Sequence, residues 1–255
     1  MPLHNSEAFR ASKFFQNLPE DFAFSGGIVE DRLMVEYGAM FAARGVRVPT
    51  SIVFRDEAEV AEFQDSCEIL AARIGGFDLE LQRPAMEALL SAIEAGRESG
   101  LSITPRGADS ARRNYEGTVE LWASRVEPAL RHWTLSGRLA ASEALEISAM
   151  PVFDQVLKVF ELEEQGIFFA KDLSKSIIYS VAPPGTSQHL AMLAFDVSEF
   201  NDVRVRELLA RHGWFQTVVS DLPHFTYLGL DEDLLATKGL RRINTGDRHF
   251  WVPDI

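Results

Sequence analysis

The spacing of apolar residues changes once along the chain, just after Glu164, and that change restricts the fold to a mixed architecture. Before it, most segments carry apolar residues at intervals of three and four, the signature of amphipathic helix. Gly27 to Gly45 shows this spacing, and so does Glu57 to Ile74, with Asp56 placed to cap its start and Gly75 and Gly76 to close it. Pro84 suits the first turn of a helix running to Arg97 and ended by Gly100. Ser110 to His132 predicts a long helix, kinked or shortened at Pro128, and Val152 to Glu164 another. Val48 to Phe54 is a short β-branched, apolar run, and Leu101 to Thr104 a short strand candidate. Beyond Glu164 the runs become short and strand-like: 167–170, 176–181, 189–197, 214–219 and 225–230, with one helix over 202–212 closed by Gly213. The residues after Lys238 are basic and show no regular pattern. Helices first, then a short sheet with helices inserted, predict an α+β fold.

Composition narrows the function classes. The chain has 255 residues, 46% of them hydrophobic, enough for one large domain or a core domain with an elaborated flank. Its 25 Lys and Arg against 38 Asp and Glu give a formal charge of -13, which repels phosphate backbones and disfavours a nucleic-acid partner. Cys67 is the single cysteine, so no internal disulfide and no cysteine-based zinc site can form. A metal must be held by histidine and carboxylate. No segment approaches the ~20 apolar residues of a transmembrane helix. Met1 to Pro19 lacks the continuous apolar core of a signal peptide. The expected location is therefore cytoplasmic, or periplasmic or secreted if the sequence is a trimmed mature form carrying a start Met.

Pro184-Gly185-Thr186-Ser187-Gln188-His189 is followed six residues later by Asp196, and further on by Asp221-Leu222-Pro223-His224. His189, Asp196 and His224 are three donors of the kind zinc accepts, leaving a fourth position for water. A zinc-held water has its pKa lowered to about 7. Asp221, three residues before His224, is placed to take a proton from it. Spacing alone does not establish this site. His189 and Asp196 are an odd number of residues apart, which on a regular strand sends their side chains to opposite faces. Each residue also has a plainer reading: a core histidine, a strand-end cap, a loop histidine and a turn-forming aspartate. His4, His132, His212 and His249 have no partners at ligand spacing and read as surface or structural. Lys171 and Lys175 read as solvated charges.

This constellation resembles the metallo-D-alanyl-D-alanine carboxypeptidases and the related vancomycin-resistance dipeptidases. Their signature is Pro-Gly-Thr-Ser-x-His, six residues, Asp, and later Glu-x-x-His. The resemblance spans roughly residues 85 to 230. It implies a small antiparallel sheet flanked by helices. Residues 1–84 have no counterpart in that pattern and are expected to form a helical N-terminal extension packed on a catalytic domain over 85–255. The resemblance also implies zinc held by His189, Asp196 and His224, with Asp221 as the catalytic base. Arg106, in Pro105-Arg106-Gly107, falls at the family's arginine and would help neutralise an oxyanion or bind a substrate carboxylate. Arg113 is its competitor, and Ser187 either contacts substrate or shapes the turn. The implied substrate is a peptidoglycan stem peptide or a D-Ala-D-Ala dipeptide.

The sequence departs from the family pattern in four places. Aspartate replaces glutamate at position 221, and the glycine usual between His189 and Asp196 is missing. Pro223 stands where an aromatic is usual, and Ser-Gly-Tyr does not precede Arg106. Aspartate is one methylene shorter, so its carboxylate retreats by ~1.5 Å unless the backbone shifts. A misplacement of ~1 Å can cost about a hundredfold in rate. Two rival readings follow: a metal-containing module that binds wall peptide without cutting it, and an intracellular D,D-dipeptidase.

Overall fold

Among the described residues, 7–24 and 27–255 of the computed structural model, the β-structure is three small antiparallel sheets set among helices, so the fold is α+β. His4 lies outside the described residues.

The N-terminal third carries α1 (Glu7–Ala11), α2 (Lys13–Gln16), α3 (Ile28–Tyr37) and α4 (Glu57–Asp65). Asp56 caps α4 as its sequence suggests, its side chain accepting the Glu59 N–H at 2.9 Å. The helix then stops nine residues earlier than the spacing predicts. Residues 69–82 form a hairpin of β1 (Ile69–Ile74) and β2 (Phe77–Gln82), and this region is not wholly helical. Leu70, Ala71, Ala72 and Arg73 are good helix formers, but six paired positions override that weak preference. Gly75 and Gly76 are the hairpin turn, both at positive φ, rather than a helix end.

Helix α5 (Arg83–Glu98) carries Pro84 in its first turn and buries Ala85, Met86, Leu89 and Ala92 along one stripe. Helix α6 runs from Tyr115 to Leu135 without a break at Pro128. Trp122, Val126, Leu130 and Trp133 are buried on both sides of that proline, and this packing holds the two halves in one helix. It starts five residues later than predicted because Asn114 caps it, accepting the Gly117 N–H at 3.0 Å. Helices α7 (Ala141–Ser148) and α8 (Val152–Glu164) complete the helical part.

The expected strands at 101–104, 167–170 and 176–181 do not form. Residues 101–104 end in a single bridge, Pro105 to Val197. The 167–181 segment is coil, buried at 169–170 and 176–178 and mostly exposed between them, with one 3-10 turn, Ile177–Tyr179. Its apolar residues Ile167, Phe169, Ile177 and Ile178 are in the core. Side chains satisfy its backbone in place of a ladder: Trp133 Nε1 donates to the Phe168 carbonyl, Tyr37 Oη to the Ile178 carbonyl, and the Ile177 N–H to Glu163.

The central sheet orders β3 (Ala194–Asp196), β5 (His224–Tyr227) and β4 (Trp214–Phe215), with β5 in the middle. The strands at 214–219 and 225–230 are thus shorter than their apolar runs. Helix α9 (Val203–Arg211) connects β3 to β4. The register pairs Phe195 with Phe225 and Asp196 with His224. Both phenylalanines lie in the main core. Burying each stabilises by about 1.5–3 kcal/mol. A one-residue slip would turn them outward, so their burial locks Asp196 and His224 together on the opposite face. The tail is not irregular: β6 (Leu240–Thr245) and β7 (Arg248–Pro253) form a second hairpin.

Candidate metal centre

His189 is not on a strand, which removes the parity problem of its spacing to Asp196. It sits in a 3-10 turn, Gln188–Ala191, closed by Met192 in the left-handed conformation at φ 54°. The chain then reverses into β3, bringing Asp196 back beside the imidazole. Two buried glutamines from the first 84 residues hold this turn. Gln64 donates to the Leu190 and Arg113 carbonyls, and Gln82 to the Ala191 and Arg47 carbonyls. Gly185 fixes the approach to the turn. Its φ is +80°, its carbonyl accepts the Phe54 N–H at 2.9 Å, and a Cβ there would stand 1.9 Å from the Phe54 oxygen.

One ligand atom each from His189, Asp196 and His224 lies within 4.8 Å of the others. His189 Nε2 is 3.3 Å and His224 Nδ1 3.4 Å from the same oxygen, Asp196 Oδ1. The other nitrogen of each ring is spoken for. His189 Nδ1 is 2.7 Å from the Ala111 carbonyl, which can only accept, so the proton sits on Nδ1 and Nε2 keeps its lone pair. Gln188 decides His224 by the same logic. Its amide Nε2 donates to the Tyr37 carbonyl at 2.8 Å, so its Oε1 faces His224 Nε2 at 2.9 Å and accepts from it. Thr226 donates to that same Oε1, and Thr217 and Thr226 share a hydrogen bond behind it. His224 Nδ1 therefore also keeps its lone pair.

The electrostatics agree. Burial, with the Arg113 charge nearby, holds the His189 pKa below its ordinary value, so the ring stays neutral. Burial opposes ionisation of Asp196, and the facing His189 and His224 would lower its pKa only by presenting a proton to it, which these tautomers do not. Arg113 binds its far oxygen, with Nη2 to Oδ2 at 2.8 Å. Asp196 Oδ1 itself is buried without a hydrogen-bond partner. A buried carboxylate oxygen facing two lone pairs and no proton is costly as it stands. A divalent cation resolves it. In tetrahedral zinc sites with bonds of about 2.0–2.2 Å, neighbouring donors are separated by about 3.3–3.5 Å. The two observed separations fall in that range. Orienting partners on the second nitrogen of each histidine are the usual support of such a site.

The site opens on a cleft of about 220 Å³ whose walls include Ser187, His189, His224, Asp221, Arg113 and Arg125. Asp221 is exposed on its rim, and Ser187 is buried in its wall. Arg106 is not among the cleft residues. Its N–H donates to the Asp196 carbonyl, but its guanidinium lies 5.9 Å from the centre of the Phe200 ring. Of the two arginines, Arg113 is the one in contact with the triad. His212 hydrogen-bonds the Leu208 carbonyl and His249 pairs with Glu232, both away from the cleft. Gln188, Gln64, Gln82 and Arg125 were not singled out by sequence reasoning. Only Gln188 carries a signal there, as the variable position of the motif.

No family model matches the chain, and no curated protein matches it in sequence. Among solved structures it bears a distant likeness to VanY, a vancomycin-resistance D,D-pentapeptidase from a VanB-type cassette, solved as a mutant in complex with Zn(II). The identity is 14%, over 65% of this chain and 82% of that one, with a TM-score of 0.39.

Proposed function

We propose that the chain is a zinc-dependent peptidase acting on bacterial cell-wall peptide, with release of a terminal D-alanine as its reaction. One observation carries this reading: two imidazole nitrogens converge on a buried carboxylate oxygen that has no hydrogen-bond partner, making three metal-type donors beside an open cleft. The motif resemblance supplies the substrate class.

Zinc held by His189, Asp196 and His224 supplies Lewis-acid polarisation of a carbonyl and a water of lowered pKa. The chain's own residues do the rest. Asp221, exposed on the cleft rim, accepts the proton of the attacking water and returns it to the leaving amine. Arg113 holds Asp196 Oδ2, which keeps Oδ1 turned to the two imidazoles. Ser187 offers a hydroxyl in the cleft wall. Arg106 ties its loop to the free edge of β3 through its backbone N–H, and its guanidinium lies toward Phe200 rather than among the residues lining the cleft, which favours a supporting role over an oxyanion contact. The cleft is smaller than the roughly 300–1,000 Å³ of drug-sized sites, which suits small side chains such as alanine.

The test is incubation of zinc-loaded protein with D-Ala-D-Ala and with a wall pentapeptide. Zinc-dependent release of D-Ala, lost in Asp221→Ala, supports the peptidase. A second reading, a metal-containing module that binds wall peptide without hydrolysis, is favoured by the shortened carboxylate at 221. Binding of pentapeptide with no release of D-Ala would decide for it.

A further inference from the structure

The cleft carries a second arginine that the metal centre does not use. Arg113, on one wall, is neutralised by Asp196 at 2.8 Å and Asp109 at 3.8 Å. Arg125, reaching the cleft from α6, is held differently. Its Nε donates to Ser180 Oγ at 3.1 Å and its Nη1 to Ser124 Oγ at 2.9 Å, and among the described residues no carboxylate pairs with it. Two hydroxyls orient the guanidinium and leave its charge unmatched, in a chain with 38 acidic residues available to match it. Two of its five N–H donors are occupied, so a fork remains for a planar anion. Beside it, Leu121 and Tyr179 line the same cleft and are 37% and 45% exposed. A half-buried cation flanked by apolar side chains fits a small amphipathic group: an alkyl side chain with a carboxylate attached.

We infer that Arg125 receives the free terminal carboxylate of the ligand, so that the site reads the end of a peptide rather than its interior. This rests on the peptidase reading for the peptide but not for the charge. An α-carboxylate anchored at Arg125 places the last residue against Leu121 and Tyr179. The bond before it then lies toward His189 and His224, which share the cleft. An internal peptide segment, or an amidated end, offers that guanidinium no charge.

The experiment compares one wall peptide ending in D-Ala-D-Ala as free acid and as C-terminal amide. Zinc-loaded wild type, Arg125→Ala and Arg125→Lys are measured, with zinc content and melting temperature checked for each. In the wild type the acid is preferred by about tenfold to a hundredfold, the range of one charge-assisted contact. Arg125→Ala removes that preference by raising KM for the acid, and Arg125→Lys restores part of it, both at full zinc content. The same ratio is read as Kd by calorimetry. Loss of acid preference in binding without turnover in any protein sustains the role of Arg125 while removing the peptidase reading. Equal affinity of wild type for acid and amide, an unchanged ratio in Arg125→Ala, or no binding of either peptide overturns the inference.

Discussion

Asp196 and His224 face each other directly across two antiparallel strands, and the Oδ1 of one stands 3.4 Å from the Nδ1 of the other. Neither atom has a proton to offer the other, because the His224 proton is committed to Gln188. With His189 the pair makes a group of three residues that could hold a metal ion. The register that creates it is set on the opposite face by Phe195 and Phe225.

Gln188 is the residue that fixes the His224 tautomer. Gln188→Ala leaves the Tyr37 carbonyl, the Thr226 hydroxyl and the His224 ring without their partner in a buried site. Zinc affinity, measured by chelator competition, is expected to fall about 10–100-fold. The metal-free protein is expected to lose about 1–3 kcal/mol in denaturant unfolding. Unchanged zinc affinity would show that another group orients the ring.

Gly185 couples the motif loop to the backbone at Phe54. Gly185→Ala requires a left-handed backbone and a Cβ 1.9 Å from the Phe54 oxygen. The conformation alone costs about 1–3 kcal/mol, and the clash adds to it. The expected result is a lowered melting temperature with weakened zinc binding. A variant as stable as wild type would mean that this close approach does not exist in solution.

The metal-free protein should weaken as the pH falls below 6.5. The folded pKa of His189 lies below its ordinary value of 6.5. Under that value the unfolded chain takes up a proton that the folded chain refuses, so stability drops with pH, by up to about 1.4 kcal/mol per unit. Denaturation at pH 8, 7, 6 and 5.5 in the presence of chelator measures this. A flat profile between 7 and 5.5 would contradict a buried neutral His189.

Asp221 is exposed, so its replacement tests chemistry rather than folding. Asp221→Ala is expected to lower kcat by about 10²–10⁴-fold with zinc content intact. Asp221→Glu restores the longer reach and is expected to match or exceed the wild-type rate. A fully active Asp221→Ala would move the base elsewhere in the cleft.

The three metal-type donors were legible because the motif keeps them at fixed spacings, and the helices were legible where capping and periodicity agree, as at Asp56 and over 152–164. The hairpin at 69–82 was hidden because Leu, Ala and Arg favour helix, and only the strand pairing overrides that weak preference. The coil at 167–181 read as strand because burial, not sheet, makes it apolar; its backbone partners, Trp133, Tyr37 and Glu163, are distant in sequence. The choice between Arg106 and Arg113 was open for the same reason. Both flank the edge of β3, and only tertiary packing turns one onto Phe200 and the other onto Asp196.

The most direct measurement is zinc content per folded chain, by elemental analysis after dialysis, in wild type, His189→Ala, Asp196→Ala and His224→Ala. The account predicts about one zinc in the wild type, as for a single three-donor site, and essentially none in each variant that circular dichroism shows to be folded. Equal zinc in wild type and variants, or none in the wild type after zinc loading, would contradict it.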